Sequence, residues 1–259
     1  MPAGIVRTEA DPVTVHGADD VTAQFTSRGI TARCLVGTDG RAEAMTQHML
    51  TFPAGTYELP SSARHDHLVY VMSGTGQVAA RGRTASLTPG TSTLIPAGEL
   101  WTVSADAQGV HASCIRLPTP ALPAAAGQWQ EPGEWTLTNH VGEQARQAAT
   151  SDRQFEVLYD SANGCGGATQ FLGFIPQTGA PEHYHLYDEI CTVVRGAGRL
   201  LVGDTVQDLT VGSTFHVPPR FLHAVHNSGT EDLHMLGVFR PAGSAAAAYY
   251  PDGRAAFSG

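Results

Sequence analysis

Apolar residues in this chain gather in short runs rather than in long stripes. The runs "LVYVM" from Leu68, "TLIPA" from Thr93, "CTVVRG" from Cys191, "RLLVG" from Arg199 and "STFHVP" from Ser213 are β-branched or aromatic and bounded by glycine or proline. Such runs read as strands. The glycines that follow them supply the positive φ that tight turns need. Helical periodicity is weak; "VGEQARQAA" from Val141 and "AAAAYY" from Ala245 are the stretches with room for a turn or two of helix. Many short strands with regular turn signals predict a barrel or jelly roll.

The pattern is written twice. Placing "HLVYVMSGTGQVAARGRTASLTPGTSTLIPAGELW" over "EICTVVRGAGRLLVGDTVQDLTVGSTFHVPPRFLH" puts Gly74 on Gly196, Gly76 on Gly198, Leu87 on Leu209, Gly90 on Gly212 and Pro96 on Pro218, all at an offset of 122 with no gap. Upstream the same offset brings Phe52 to Phe174 and Val13 to Trp135. An internal repeat of this length means two copies of one unit. The expected units are residues 1–120 and 121–259, joined through "PTPALPAAAGQWQEPGE", whose proline, alanine and glycine read as a linker.

Composition narrows the function classes. The chain has 259 residues, 42% hydrophobic and 15% charged, ordinary for a globular protein. A net charge of -9 argues against a nucleic-acid footprint. No apolar run is long enough to cross a bilayer, and "MPAGIVRTEADPV" has no signal-peptide core. A cytoplasmic setting is expected. All 15 basic residues are arginine, which rules out a lysine Schiff base and a P-loop lysine. Cys34, Cys114, Cys165 and Cys191 show no CxxC spacing and read as buried thiols. Cys191 matches Val69 of the first copy and shares the face of Glu189, two residues before it.

That face carries the candidate chemistry. In "PEHYHLYDEICTVVRGAGRL" His183, His185 and Glu189 are spaced by two and four, so in an extended chain they point to one side. Two buried imidazoles and a buried carboxylate are costly unless something satisfies them, and a bound cation would. Downstream stand Gly212, Pro218, Arg220, His223 and Asn227.

These two stretches resemble the paired motifs of the cupin superfamily. The first motif joins HxH to a glutamate and then a glycine, here His183, His185, Glu189 and Gly196. The second joins a glycine, a PxG turn, a histidine and an asparagine, here with Arg220 in place of the turn glycine. Gly179 lies slightly off the usual place of the first motif's leading glycine. The resemblance implies an all-β chain of two tandem double-stranded β-helix (jelly-roll) cupin barrels. It implies one divalent transition metal per chain, held by His183, His185, Glu189 and His223. Nitrogen and carboxylate donors suit Fe, Mn, Ni, Cu or Zn. Four ligands on an octahedral ion leave two positions open, and the residual positive charge favours a small anionic, chelating substrate. Subtracting 122 from the ligand positions gives Ser61, Ala63, His67 and Trp101, so the first copy is expected to keep the fold and lose the metal. His65 and His67 share parity but face the bulk of Trp101, so a structural barrel or a pocket for a small organic ligand is expected there.

The reading implied for function is a metal-dependent oxidoreductase of the dioxygenase type. Glu189 would double as a base, His226 would be a proton shuttle at the barrel mouth, and Tyr187 would be a pocket residue. Two alternatives stay open. One is a hydrolase or lyase using the metal as a Lewis acid, in the manner of ureidoglycine aminohydrolases; the other is a non-catalytic small-molecule-binding protein. A homodimer is expected from the apolar outer strands of such barrels.

Overall fold

The computed structural model describes residues 13–17, 25–27, 29–37, 45–119 and 132–256. Among them no α-helix occurs; nineteen strands and one short 3-10 turn make up the regular structure. The first barrel is built from β1 (Phe25–Ser27), β2 (Ile30–Val36), β3 (Thr46–Phe52), β4 (Gly55–Pro60), β5 (His65–Ala80), β6 (Arg83–Leu87), β7 (Thr91–Ile95) and β8 (Leu100–Pro118). After β9 (Thr138–His140), the second is built from β10 (Gln147–Ala148), β11 (Gln154–Tyr159), β12 (Thr169–Ile175), β13 (Ala180–His183), β14 (Asp188–Arg195), β15 (Gly198–Val202), β16 (Thr205–Leu209), β17 (Thr214–Val217), β18 (His223–Asn227) and β19 (Leu233–Arg240).

All pairings are antiparallel. In the second barrel one sheet runs β10-β11-β12-β19-β14-β17 and the other β13-β18-β15-β16. In the first, the long strands β5 and β8 pass through both faces, so the same arrangement counts as a single nine-stranded sheet. The 122-residue offset survives down to the ladder: Gly76 pairs with Leu87 as Gly198 pairs with Leu209, and Tyr70 with Ser92 as Thr192 with Thr214. The repeat therefore encodes register as well as fold, as expected when a one-residue slip would turn every core side chain outward.

Alternation decides what each barrel encloses. Val69, Val71, Val78, Trp101, Val103 and Val110 point into the first barrel. Cys191, Val193, Leu200, Phe215, Val217 and Val225 point into the second. The intervening residues form a third core between the barrels, where Leu68, Tyr70, Leu94 and Ile115 meet Leu172, Phe174, Ile190 and Leu236. The barrels also exchange edges: β9 adds to β7 of the first, while His16 bridges to Thr214 and Val13 enters the core of the second.

Two local expectations are corrected. "VGEQARQAA" is a turn leading into β10 rather than a helix, because Gly142 takes φ 91° and the Glu156 carboxylate accepts the N–H of Gly142 (2.7 Å) and Gln144 (3.0 Å). "AAAAYY" is a strap, with Tyr249 bridged to Tyr184. The expected break between residues 120 and 121 lies outside the described residues.

Candidate metal centre

The first cupin-like motif does not run as one extended strand. β13 ends at His183, a bend carries the chain through residues 185–187, and β14 begins at Asp188. Convergence comes from pairing instead: His183 is the Cα partner of His223, and Glu189 enters from β14 between Val217 and Phe239. The ligand nitrogens of His183, His185 and His223 lie within 4.8 Å of one another. Oε2 of Glu189 is 3.8 Å from Nε2 of His185 and 3.6 Å from Nε2 of His223. All four side chains are buried.

The backbone fixes which nitrogen each histidine presents. Nδ1 of His183 meets the Pro181 carbonyl (2.6 Å), that of His185 the Ala247 carbonyl (3.1 Å) and that of His223 the Phe221 carbonyl (3.1 Å). A carbonyl only accepts, so each Nδ1 carries the proton and each Nε2 keeps a free lone pair, the arrangement seen behind metal-ligating histidines. Burial, with the neighbouring imidazoles and Arg153 adding to it, holds His183 well below its ordinary value. His185 falls to about 3 and His223 to about 4, again chiefly through burial. The three rings are neutral at neutral pH. Glu189 is pushed up to about 7 by burial, against the pull of the Cys191 thiol and Arg153. Its Oε1 accepts the Cys191 thiol at 3.3 Å, while Oε2 has no hydrogen-bond partner. An orphaned buried carboxylate oxygen facing unprotonated imidazole nitrogens fits a divalent cation, and this group could hold one.

The remaining expected residues fall as follows. Tyr187 does not line the cavity; its hydroxyl donates to the Ser244 carbonyl (2.6 Å) and its ring stacks on His185 (centroids 5.6 Å, 15°). It anchors the strap and steadies His185. His226 is exposed on the opposite face of β18 from His223 and Val225, so the structure does not bring it to the cavity mouth. Arg220 adopts φ 64°, the left-handed turn that Gly98 (φ 81°) makes in the first barrel, and its N–H donates to the His185 carbonyl at 2.7 Å.

One site residue escaped the sequence reading. Arg153 lines the cavity with Phe155, Phe171, Met235 and Phe239. Its Nε donates to the Thr150 carbonyl (2.8 Å), and its buried Nη2 has no partner. A tight turn aims it, with Ser151 (φ 61°) and Asp152 (φ 59°) both left-handed. The cavity holds about 50 Å³.

The first barrel has no such group: among the described residues, the only cluster of three metal-ligand side chains is His183, His185 and His223. His67 packs edge-on to Trp101 (6.3 Å, 71°), and His65 is tied to Ser62 (2.9 Å).

Comparison with known proteins adds the relatives. Residues 171–239 match the cupin domain family and residues 56–166 the AraC-like ligand binding domain family. A single-residue mutant of Bacillus subtilis oxalate decarboxylase superposes with a TM-score of 0.70 at 16% identity, covering 92% of this chain and 80% of that one. The chain has the cupin jelly-roll fold. These findings support the cupin superfamily. A B. subtilis oxalate decarboxylase with Mn(II) centers gives the same TM-score, identity and coverage, and its pH 4.6 structure gives 0.69 at 15%, covering 92% and 79%. Auxin-binding protein 1 of Arabidopsis thaliana is 31% identical over 74 residues, which is 25% of this cupin-fold chain and 37% of that protein. No helix among the described residues is long and apolar enough to cross a membrane.

Proposed function

We propose that this chain is a bicupin and that its second barrel is the active site of a metal-dependent enzyme acting on a small carboxylate. One observation carries the reading: three neutral imidazoles, an orphaned carboxylate oxygen and an unpaired Arg153 N–H converge on one small, buried cavity. His183, His185, His223 and Glu189 would hold one divalent transition metal, which would polarise a chelating carboxylate bound to it. Arg153 supplies a charge-assisted hydrogen bond to that carboxylate and so fixes its orientation. Phe155, Phe171, Met235 and Phe239 exclude water and strengthen this contact. Cys191 holds Oε1 of Glu189, leaving Oε2 as the atom that faces the cavity.

Dioxygenase chemistry, the leading expectation from sequence, finds no support in the geometry: a cavity of about 50 Å³ suits a substrate of few atoms. The lyase alternative is favoured, with decarboxylation as the reaction class, by the likeness to oxalate decarboxylases and by the unpaired Arg153 N–H beside the ligand set, which suits a carboxylate substrate. The test is a panel of two- to four-carbon carboxylates given to metal-loaded protein, with carbon dioxide release and dioxygen consumption both recorded. The reading expects turnover without stoichiometric use of dioxygen. One dioxygen consumed per substrate would restore the dioxygenase reading, and saturable binding without turnover would make the chain a binding protein. Assembly as a homodimer and a cytoplasmic setting belong to the same proposal.

A further inference from the structure

The first barrel lost the ligand set but not its interior space. A cavity of about 320 Å³ remains in it, lined by Leu50, Phe52, His48, His67, Trp101 and Arg116 among others. That volume is in the range of small-molecule pockets and exceeds the space in the second barrel. Its polar groups are unsatisfied: both ring nitrogens of His67, Nδ1 of His48 and Nε1 of Trp101 are buried without a hydrogen-bond partner. Trp101 is only 4% exposed, so its indole N–H is cut off from water. A buried donor left unmade costs about 1–3 kcal/mol, and here several face one space.

The charge in that space has one sign. Among the described residues no aspartate or glutamate lines the cavity and Arg116 forms no ion pair; its Nη2 reaches only Nδ1 of His65, at 3.4 Å. Arg116 is the Cα partner of His67 across β5 and β8, and His48 is the partner of Cys114 across β3 and β8, which places these groups in adjacent rows on the inner face. Burial first, and Arg116 second, lowers both His48 and His67 to about 4, so the two rings are neutral hydrogen-bonding groups. The Cys114 thiol is pushed up to about 12 by burial and offers no competing anion.

We propose that the first barrel binds a small, largely apolar carboxylate, its anionic group on Arg116 and the imidazoles, and its body against Trp101, Phe52 and Leu50. One uncompensated cation, neutral polar groups beside it and apolar walls elsewhere match a hydrophobic monoanion rather than a sugar, which needs many polar partners, or a metal, which needs clustered ligands. The site is independent of the metal centre.

The test is calorimetric titration of the full-length protein at neutral pH with 2-naphthoate and with its neutral isostere naphthalene-2-carboxamide. One molecule of 2-naphthoate per chain is expected, with the carboxamide at least tenfold weaker. Arg116→Gln and Trp101→Phe should each weaken 2-naphthoate binding, the former at least tenfold, while His185→Ala leaves it unchanged. If Arg116→Gln does not fold, the acid-against-amide comparison and Trp101→Phe still decide. No saturable binding at millimolar probe, equal affinity for acid and amide, or loss of binding in His185→Ala would overturn the proposal.

Discussion

Replacing Glu189 by glutamine in metal-free protein should raise stability at alkaline pH, an unusual outcome for a buried site residue. Glu189 is 5% exposed, and burial lifts its carboxyl from 4.5 to about 7. A carboxylate with a raised folded value binds its proton more tightly in the folded chain, so it costs stability as pH rises above 4.5, and the cost levels off above 7. At 1.36 kcal/mol per pH unit this cost is below about 1 kcal/mol at pH 5 and about 3 kcal/mol at pH 8. Glutamine carries no charge to desolvate, and its amide can donate toward Nε2 of His185 or His223, 3.8 and 3.6 Å from the present Oε2. The three histidines act in the opposite sense: their folded values are lowered, so their contribution is present above about 6.5 and is lost as pH falls. They are common to both proteins and cancel in the difference. Urea unfolding of chelator-treated wild type and Glu189→Gln at the two pH values is the assay. The variant should gain about 2–3 kcal/mol on wild type between pH 5 and pH 8. A variant less stable than wild type at pH 8, or a difference that does not change with pH, would refute the reasoning.

Three further outcomes are expected. Arg153→Gln removes the unpaired guanidinium N–H and should lower kcat/KM on the carboxylate substrate by about 10- to 100-fold, the worth of one hydrogen bond to a charged group, with metal content unchanged by elemental analysis. Cys191→Val leaves Oε1 of Glu189 without its donor and should cost metal-free protein about 1 kcal/mol in urea unfolding at pH 8, since a thiol is a weak donor; stability equal to wild type would make the thiol a simple filler. Gly74→Ala should abolish soluble expression, because φ is 84° and a Cβ would sit 2.0 Å from the Gly109 carbonyl oxygen, whereas Gly212→Ala, with open space around it, should remain soluble.

The sequence made the double architecture legible because the repeat carries glycines at fixed turn positions. Arg220 shows why a missing glycine did not mislead: the arginine takes the same left-handed φ as Gly98, at a strain of about 1 kcal/mol. The histidines and Glu189 were legible as a set, although the simple alternation argument was not how they meet; a bend separates β13 from β14, and the pairing of His183 with His223 does the work. Arg153 was illegible because its role depends on two consecutive left-handed residues, Ser151 and Asp152, neither of them glycine. Tyr187 and His226 were misplaced for a related reason. The parity of Tyr187 is broken by the same bend, and the spacing of three in β18 puts His226 on the face opposite to His223. A pocket for a small organic ligand was one alternative for the first barrel, but its size and lining were not legible, since Trp101 was taken to fill the space that it only borders.

One divalent metal is expected on the second barrel's histidines and Glu189. The most direct measurement is metal content per chain by elemental analysis in wild type, His223→Ala, His185→Ala and His65→Ala. The account predicts about one transition metal ion per chain in wild type and His65→Ala, and close to none in His185→Ala and His223→Ala, all four remaining folded by circular dichroism. Two tightly bound ions per chain in wild type, or full metal content in folded His223→Ala, would contradict it.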